Sequence, residues 1–206
     1  FANLPVTDAS KLQALLLEND RQTKANAAFA LGRLGDPRAL DLLVKAADTG
    51  LGPAPAALAH LGAPGLQALV ARLDHPRPWQ RDLALLALAQ ARDPAVVPLL
   101  EQAMHSDKPQ VADGSASVLA TLAGLAPPPP GVTVDAALKA PALAALQKEG
   151  EAGDTHALAV DIDHYLQQPD GEDTLIEMLE MHGDERLAAA SLRSPSTRLH
   201  EAANEW

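Results

Sequence analysis

Residues 27–40 read Ala27-Ala28-Phe29-Ala30-Leu31-Gly32-Arg33-Leu34-Gly35-Asp36-Pro37-Arg38-Ala39-Leu40, and each part of this stretch has a physical task. The small alanines let two helices approach closely. Gly35 takes the left-handed end of one helix, Asp36 caps the next, and Pro37 fits that helix's first turn. The stretch therefore reads as helix, tight turn, helix.

The same phrase recurs along the chain. Ala57-Leu58-Ala59-His60-Leu61-Gly62-Ala63-Pro64 follows 27 residues later, Leu86-Ala87-Leu88-Ala89-Gln90-Ala91-Arg92-Asp93-Pro94 another 30 residues on, and Ala120-Thr121-Leu122-Ala123-Gly124-Leu125-Ala126-Pro127 a further 34. Between the copies, residues 40–47, 66–73 and 96–104 carry apolar side chains at spacings of three and four, the pattern of an amphipathic helix. Each unit is thus a helical hairpin. A single hairpin cannot bury its apolar face, so neighbours must stack. The expected fold is all-α, an α-solenoid of stacked antiparallel helical hairpins with a concave inner layer.

These residues resemble the HEAT-like repeats of the bilin-lyase type, in which an Arg precedes an Ala-rich stretch, Ala-Leu-Gly and a Gly-Asp-Pro turn. Ala30-Leu31-Gly32 and Gly35-Asp36-Pro37 match closely, with Lys24 at the Arg position. Arg81 holds that position in the third copy, and Arg198 before Ala202-Ala203 looks like a terminal one. The resemblance is good over residues 19–126. Residues 154–168, 173–182, 185–193 and 196–206 look helical without a fixed register, and residues 131–139 fit no repeat. The expected organisation is one array over 1–206: regular repeats over 1–126, a Pro-rich crossing over 127–141 that starts with Pro127 to Pro130, and divergent acidic helical repeats over 142–206.

Composition agrees with helix. The 206 residues are 47% hydrophobic but 2% aromatic, so the core is built from Ala, Leu and Val. The absence of cysteine excludes disulfides, thiolate metal sites and a cysteine nucleophile. No apolar run approaches the roughly 20 residues that span a bilayer, and the opening Phe1-Ala2-Asn3-Leu4-Pro5 is no signal peptide. The expected location is cytoplasmic and the host bacterial. A start at Phe1 and a stop at Trp206 inside a helical pattern suit a piece of a longer protein.

The formal charge of -11 is polarised. Residues 1–148 hold 13 acids and 13 Lys or Arg; residues 149–206 hold 14 acids against Arg186, Arg193 and Arg198, which is the whole excess. That end repels nucleic acid and attracts a cationic protein. Its alternative role is a solubilising face.

Catalytic patterns are weak. Gly50-Leu51-Gly52-Pro53 lacks the strand and later glycine of a dinucleotide loop, and Val118 spoils Gly114-Ser115-Ala116-Ser117 as a nucleophile elbow. Asp161, Asp163, His164 and His156 share one helix, where Asp161 and His164 at three-residue spacing would make at most a weak divalent-ion site. His60, His75, His105, His182 and His200 read as solvated. No cofactor or metal is expected.

Two features point to contact with a partner. The run Leu83 to Ala89 is apolar nearly all round, and Phe29 stands where such repeats are usually polar. These side chains are either core or an apolar strip for a partner segment. Trp79, beside Gln80 and Arg81, is either an interface anchor or a packed staple. The partner-binding candidates are therefore Phe29, Arg33, Trp79, Gln80, Arg81 and Leu86, with Asp161, Asp163, Glu177 and Glu180 from the acidic end.

The expected function is a non-catalytic protein-binding scaffold or adaptor whose partner is basic in its docking region, with neither nucleic acid nor membrane as partner. An immunity or inhibitor protein against a basic effector is a narrower form of it. The resemblance also implies an enzymatic rival, a lyase attaching linear tetrapyrroles to light-harvesting proteins, although no residue here carries a pigment site. DNA glycosylases with HEAT-like repeats would need a basic concave face.

Overall fold

The computed structural model describes residues 9–206, apart from the side chains of Ala9 and His182; the opening segment Phe1 to Pro5 and the His182 side chain lie outside it. Thirteen helices follow one another: α1 (Ala9–Leu15), α2 (Arg21–Leu34), α3 (Leu40–Asp48), α4 (Pro53–Ala59), α5 (Ala63–Ala71), α6 (Pro78–Ala89), α7 (Val96–Met104), α8 (Pro109–Ala123), α9 (Lys139–Glu151), α10 (Thr155–Leu166), α11 (Gly171–His182), α12 (Glu185–Ser191) and α13 (Thr197–Glu205). No strand occurs among the described residues. The fold is the all-α solenoid that the repeats imply.

The turn between α2 and α3 shows how the sequence sets the pitch. Gly35 closes α2 with φ 63°, a left-handed conformation that a side chain would strain, and its N–H donates to the Leu31 and Gly32 carbonyls. Asp36 then accepts from the Arg38 N–H at 3.0 Å, and Pro37 leads a 3₁₀ turn into α3. Proline repeats this work at the starts of α4, α5, α6 and α8, where no helical N–H is lost.

Stacking produces two layers. Helices α2, α4, α6, α8, α10 and α12 each pack on the next, and α3, α5, α7 and α9 form a second file beside them. Between the layers lie Leu31, Leu43, Leu58, Leu66, Leu69, Leu88, Leu100 and Leu119, all fully buried. Burying a leucine contributes about 2 kcal/mol, so this seam is the main source of stability. One apolar cluster runs from Leu16 to Ala157 and a second from Ile162 to Ala203. Helix α10 contributes to both, with Ala157 on one and Ile162 on the other.

Polar side chains tie adjacent hairpins. The Arg72 guanidinium, almost wholly buried, donates to the Val44 carbonyl at 2.7 Å, to Asp48 at 2.9 Å and to Gln80 Oε1 at 3.3 Å. Gln80 Nε2 in turn donates to the Ala47 carbonyl at 2.8 Å. Further along, His105 Nε2 lies 3.1 Å from the buried carboxylate of Glu149, and Lys148 pairs with Glu101. His105 thus joins the end of α7 to α9 while its side chain stays 54% exposed, in keeping with its reading as solvated. His200 Nε2 lies 2.6 Å from the Ser194 carbonyl, and His75 accepts from the Arg77 N–H at 3.2 Å.

Residues 131–139 fit no repeat in sequence because the chain there leaves the helical file. After Gly124 it passes Pro127 to Pro129, turns at Pro130 and Gly131 with the Val132 N–H donating to the Pro129 carbonyl, packs Val132 and Val134 on the core, and enters α9 through a 3₁₀ turn at Ala136–Leu138. Pro141 sits in the first turn of α9, where it costs no hydrogen bond, so α9 starts inside the stretch expected to cross between halves.

Candidate functional site

A groove lies between α8 and α10 in the file of second helices. Ala116 and Ala120 on α8 meet Ala159 and Val160 on α10, and these short side chains leave a cavity of about 230 Å³. It continues into a second cavity of about 480 Å³ beside Leu125, Pro127 and Val134. The Pro-rich crossing forms that second wall.

Charged groups line the first cavity. His156 Nδ1 lies 2.9 Å from Asp113 Oδ1, and the Arg193 guanidinium, from the turn after α12, donates to the same oxygen. One carboxylate thus links α8, α10 and the end of α12. Asp163 and His164 complete the lining, and His164 Nδ1 is buried without a hydrogen-bond partner. Burial of its surroundings holds the Asp163 carboxyl above the ordinary 3.8, although the residue is exposed. Asp161 is also raised by burial, an effect partly offset by His164.

A raised folded-state pKa favours the protonated form of the folded chain, so the associated stability is full below the unfolded pKa and is lost as pH rises through the folded one. Asp161→Asn is accordingly expected to raise the unfolding midpoint slightly at pH 7. The gain should shrink to nothing as pH falls below about 3.8. Paired thermal melts of the two proteins across that range check the sign.

The other sequence candidates distribute as follows. Phe29 is 60% exposed on α2, with Arg33 exposed one turn on. Leu86 is half-buried on α6; Ala84, Ala87, Leu88 and Ala89 of the same run are core. Trp79 is half-exposed, with its ring over Gly50. Arg81 donates to the His75 carbonyl at 2.8 Å and secures the turn before α6. Gln80 is 1% exposed and committed to the Arg72 and Ala47 bonds, so it cannot be a surface contact. Trp79 beside it is half-exposed, because one residue along a helix turns a side chain by about 100°.

Glu177 and Glu180 are exposed on α11, and Glu180 borders a shallow groove towards α13 with Glu201, Glu205 and Trp206. Of the acidic candidates only Asp163 lines the α8–α10 groove. His156, read with the same helix as a weak ion site, is turned to Asp113; among the described residues no group of His, Asp or Glu is placed to hold a metal. Asp113 and Arg193 were not singled out. Arg193 had one signal, being among only three basic residues in the acidic part.

Residues 23–49 match the PBS lyase HEAT-like repeat, and they comprise most of α2, the Gly35 turn and α3. No curated protein matches the chain. Two crystal structures of engineered proteins from the Northeast Structural Genomics Consortium are similar to it. One is 20% identical, with 96% of this chain and 94% of that chain covered and a TM-score of 0.34. The other is 21% identical, with 97% and 100% covered and a TM-score of 0.33.

Proposed function

We propose that this chain, whose residues 23–49 match a PBS lyase HEAT-like repeat, is a non-catalytic scaffold that binds another protein. The single array expected over 1–206 would offer that partner the second-helix face and the acidic end half together, and the partner would be basic where it docks. The observation that carries this reading is uncompensated charge. Glu151, Asp163, Asp170, Glu177, Glu180, Glu185, Glu201 and Glu205 are exposed and make no ion pair with any described residue. The cations nearby are already engaged: Arg193 by Asp113, Arg198 by Glu172 and Asp173, and Arg186 at the Ala152 carbonyl. An excess of this kind speeds encounter with a basic surface and is screened by salt within about 8–10 Å.

The repeat match is no argument for lyase chemistry, since its residues are those the fold itself uses as helix, turn and helix. Among the described residues no helix is long and apolar enough to cross a membrane.

The test is capture from native lysate with the chain as bait, beside a variant carrying Glu177→Gln, Glu180→Gln, Glu201→Gln and Glu205→Gln. The expected result is a stoichiometric basic protein released by moderate salt and held at least tenfold less well by the variant. Equal retention by both baits, or a covalently coloured product after incubation with bilin and apo-protein, would contradict the reading.

A further inference from the structure

The α8–α10 groove already holds a guanidinium. Arg193 lies 80 residues beyond Asp113 in sequence, yet its guanidinium donates to that carboxylate, where His156 also sits. The groove walls beneath are Ala116, Ala120, Ala159 and Val160, an apolar surface suited to the aliphatic stem of a long cationic side chain. Asp163 borders the same cavity and has no ion-pair partner among the described residues. With Arg193 as its one permanently charged cation, the cavity carries two carboxylates, so it has a carboxylate to spare for a second cation. His164 on the same helix completes the titratable groups lining it, whereas Asp161 is turned towards Gly150 on α9.

We infer that this groove is the socket for an arginine or lysine side chain of the basic partner, and that Arg193 is a built-in occupant which the incoming residue displaces. The inference rests on the reading of the chain as a protein-binding scaffold. The side chain of Arg193 is 35% exposed and that of Asp113 52%, so their contact is one of the weak, exchangeable kind. Displacement leaves the number of ion pairs unchanged at Asp113, and the guest gains Asp163 and the alanine-lined wall. A guanidinium is the better guest than an ammonium, because its planar fork presents several donors to a carboxylate from one stem. Until the partner arrives, Arg193 keeps the site from taking stray cations.

The probe is a capped, alanine-rich peptide bearing one arginine, titrated at low salt into the isotopically labelled full chain and followed by NMR. Shifts are expected at Ala116, Ala159 and Asp163. Arg193→Gln should bind the peptide at least threefold more tightly than wild type, and adding Asp113→Asn or Asp163→Asn to it should reverse that gain. A peptide with glutamine for arginine should leave the groove resonances still. Equal affinity of wild type and R193Q, or shifts confined to α11 and α13, would overturn the socket. A captured basic partner whose affinity is indifferent to D113N and D163N would also overturn it, while leaving the scaffold reading intact; failure of the four-glutamine comparison strikes the scaffold reading instead.

Discussion

Gly65→Ala is expected to lower the unfolding free energy by about 3 kcal/mol or more, the upper part of the range for overpacking. Gly65 is the third residue of α5, where the chain turns back against the end of α4. A Cβ there would lie 1.9 Å from the Leu58 carbonyl oxygen and 3.0 Å from Leu61 Cβ. The first of these is backbone and cannot rotate away, so α4 and α5 would have to separate and open the seam at Leu58 and Leu66. The control is Gly52→Ala, at a φ of -49° with nothing within 4 Å, which should change stability by less than about 0.5 kcal/mol. Urea unfolding of the two variants beside wild type reads both values.

Arg72→Met should cost about 2–3 kcal/mol. Removing one partner from a buried charge network typically costs 3–5 kcal/mol, and the lower figure applies because Asp48 is half-exposed and keeps its hydration. The loss also orphans Gln80 Oε1 and removes the second hydrogen bond at the Val44 carbonyl. Gln80→Leu breaks the other half of the same clasp. A double-mutant cycle should therefore show the two substitutions to be less than additive, by about 1 kcal/mol. Additive effects would mean that Arg72 and Gln80 act independently.

This clasp also marks where sequence reading stops. Gly35, Asp36 and Pro37 were legible because their task is local: a left-handed cap, an N-cap and a first-turn proline depend on residues within one turn of each other. The helices over 40–47 and 96–104 were legible through their apolar spacing. Arg72 and Gln80 were not, since their partners lie 24 to 33 residues away in sequence and only stacking brings them together. His105 and Glu149 belong to the same class.

The candidate site was legible only in part. The acidic bias pointed to Asp161, Asp163, Glu177 and Glu180 together and could not choose which of them borders a cavity. That choice depends on the small residues Ala116, Ala120 and Ala159, which sequence reads as ordinary helix filler. Asp113 and Arg193 escaped for a related reason, because an ion pair across 80 residues has no periodic signature.

In the proposed function the second-helix face and the acidic end together receive a basic protein. The most direct measurement is hydrogen–deuterium exchange of this chain alone and saturated with the basic protein captured on it. New protection is expected along α8, α10 and α12 and on α11 and α13, fading as salt is raised, with α3, α5 and α7 unchanged. Protection centred on α3, α5 and α7, or no salt-sensitive protection on any helix, would contradict it.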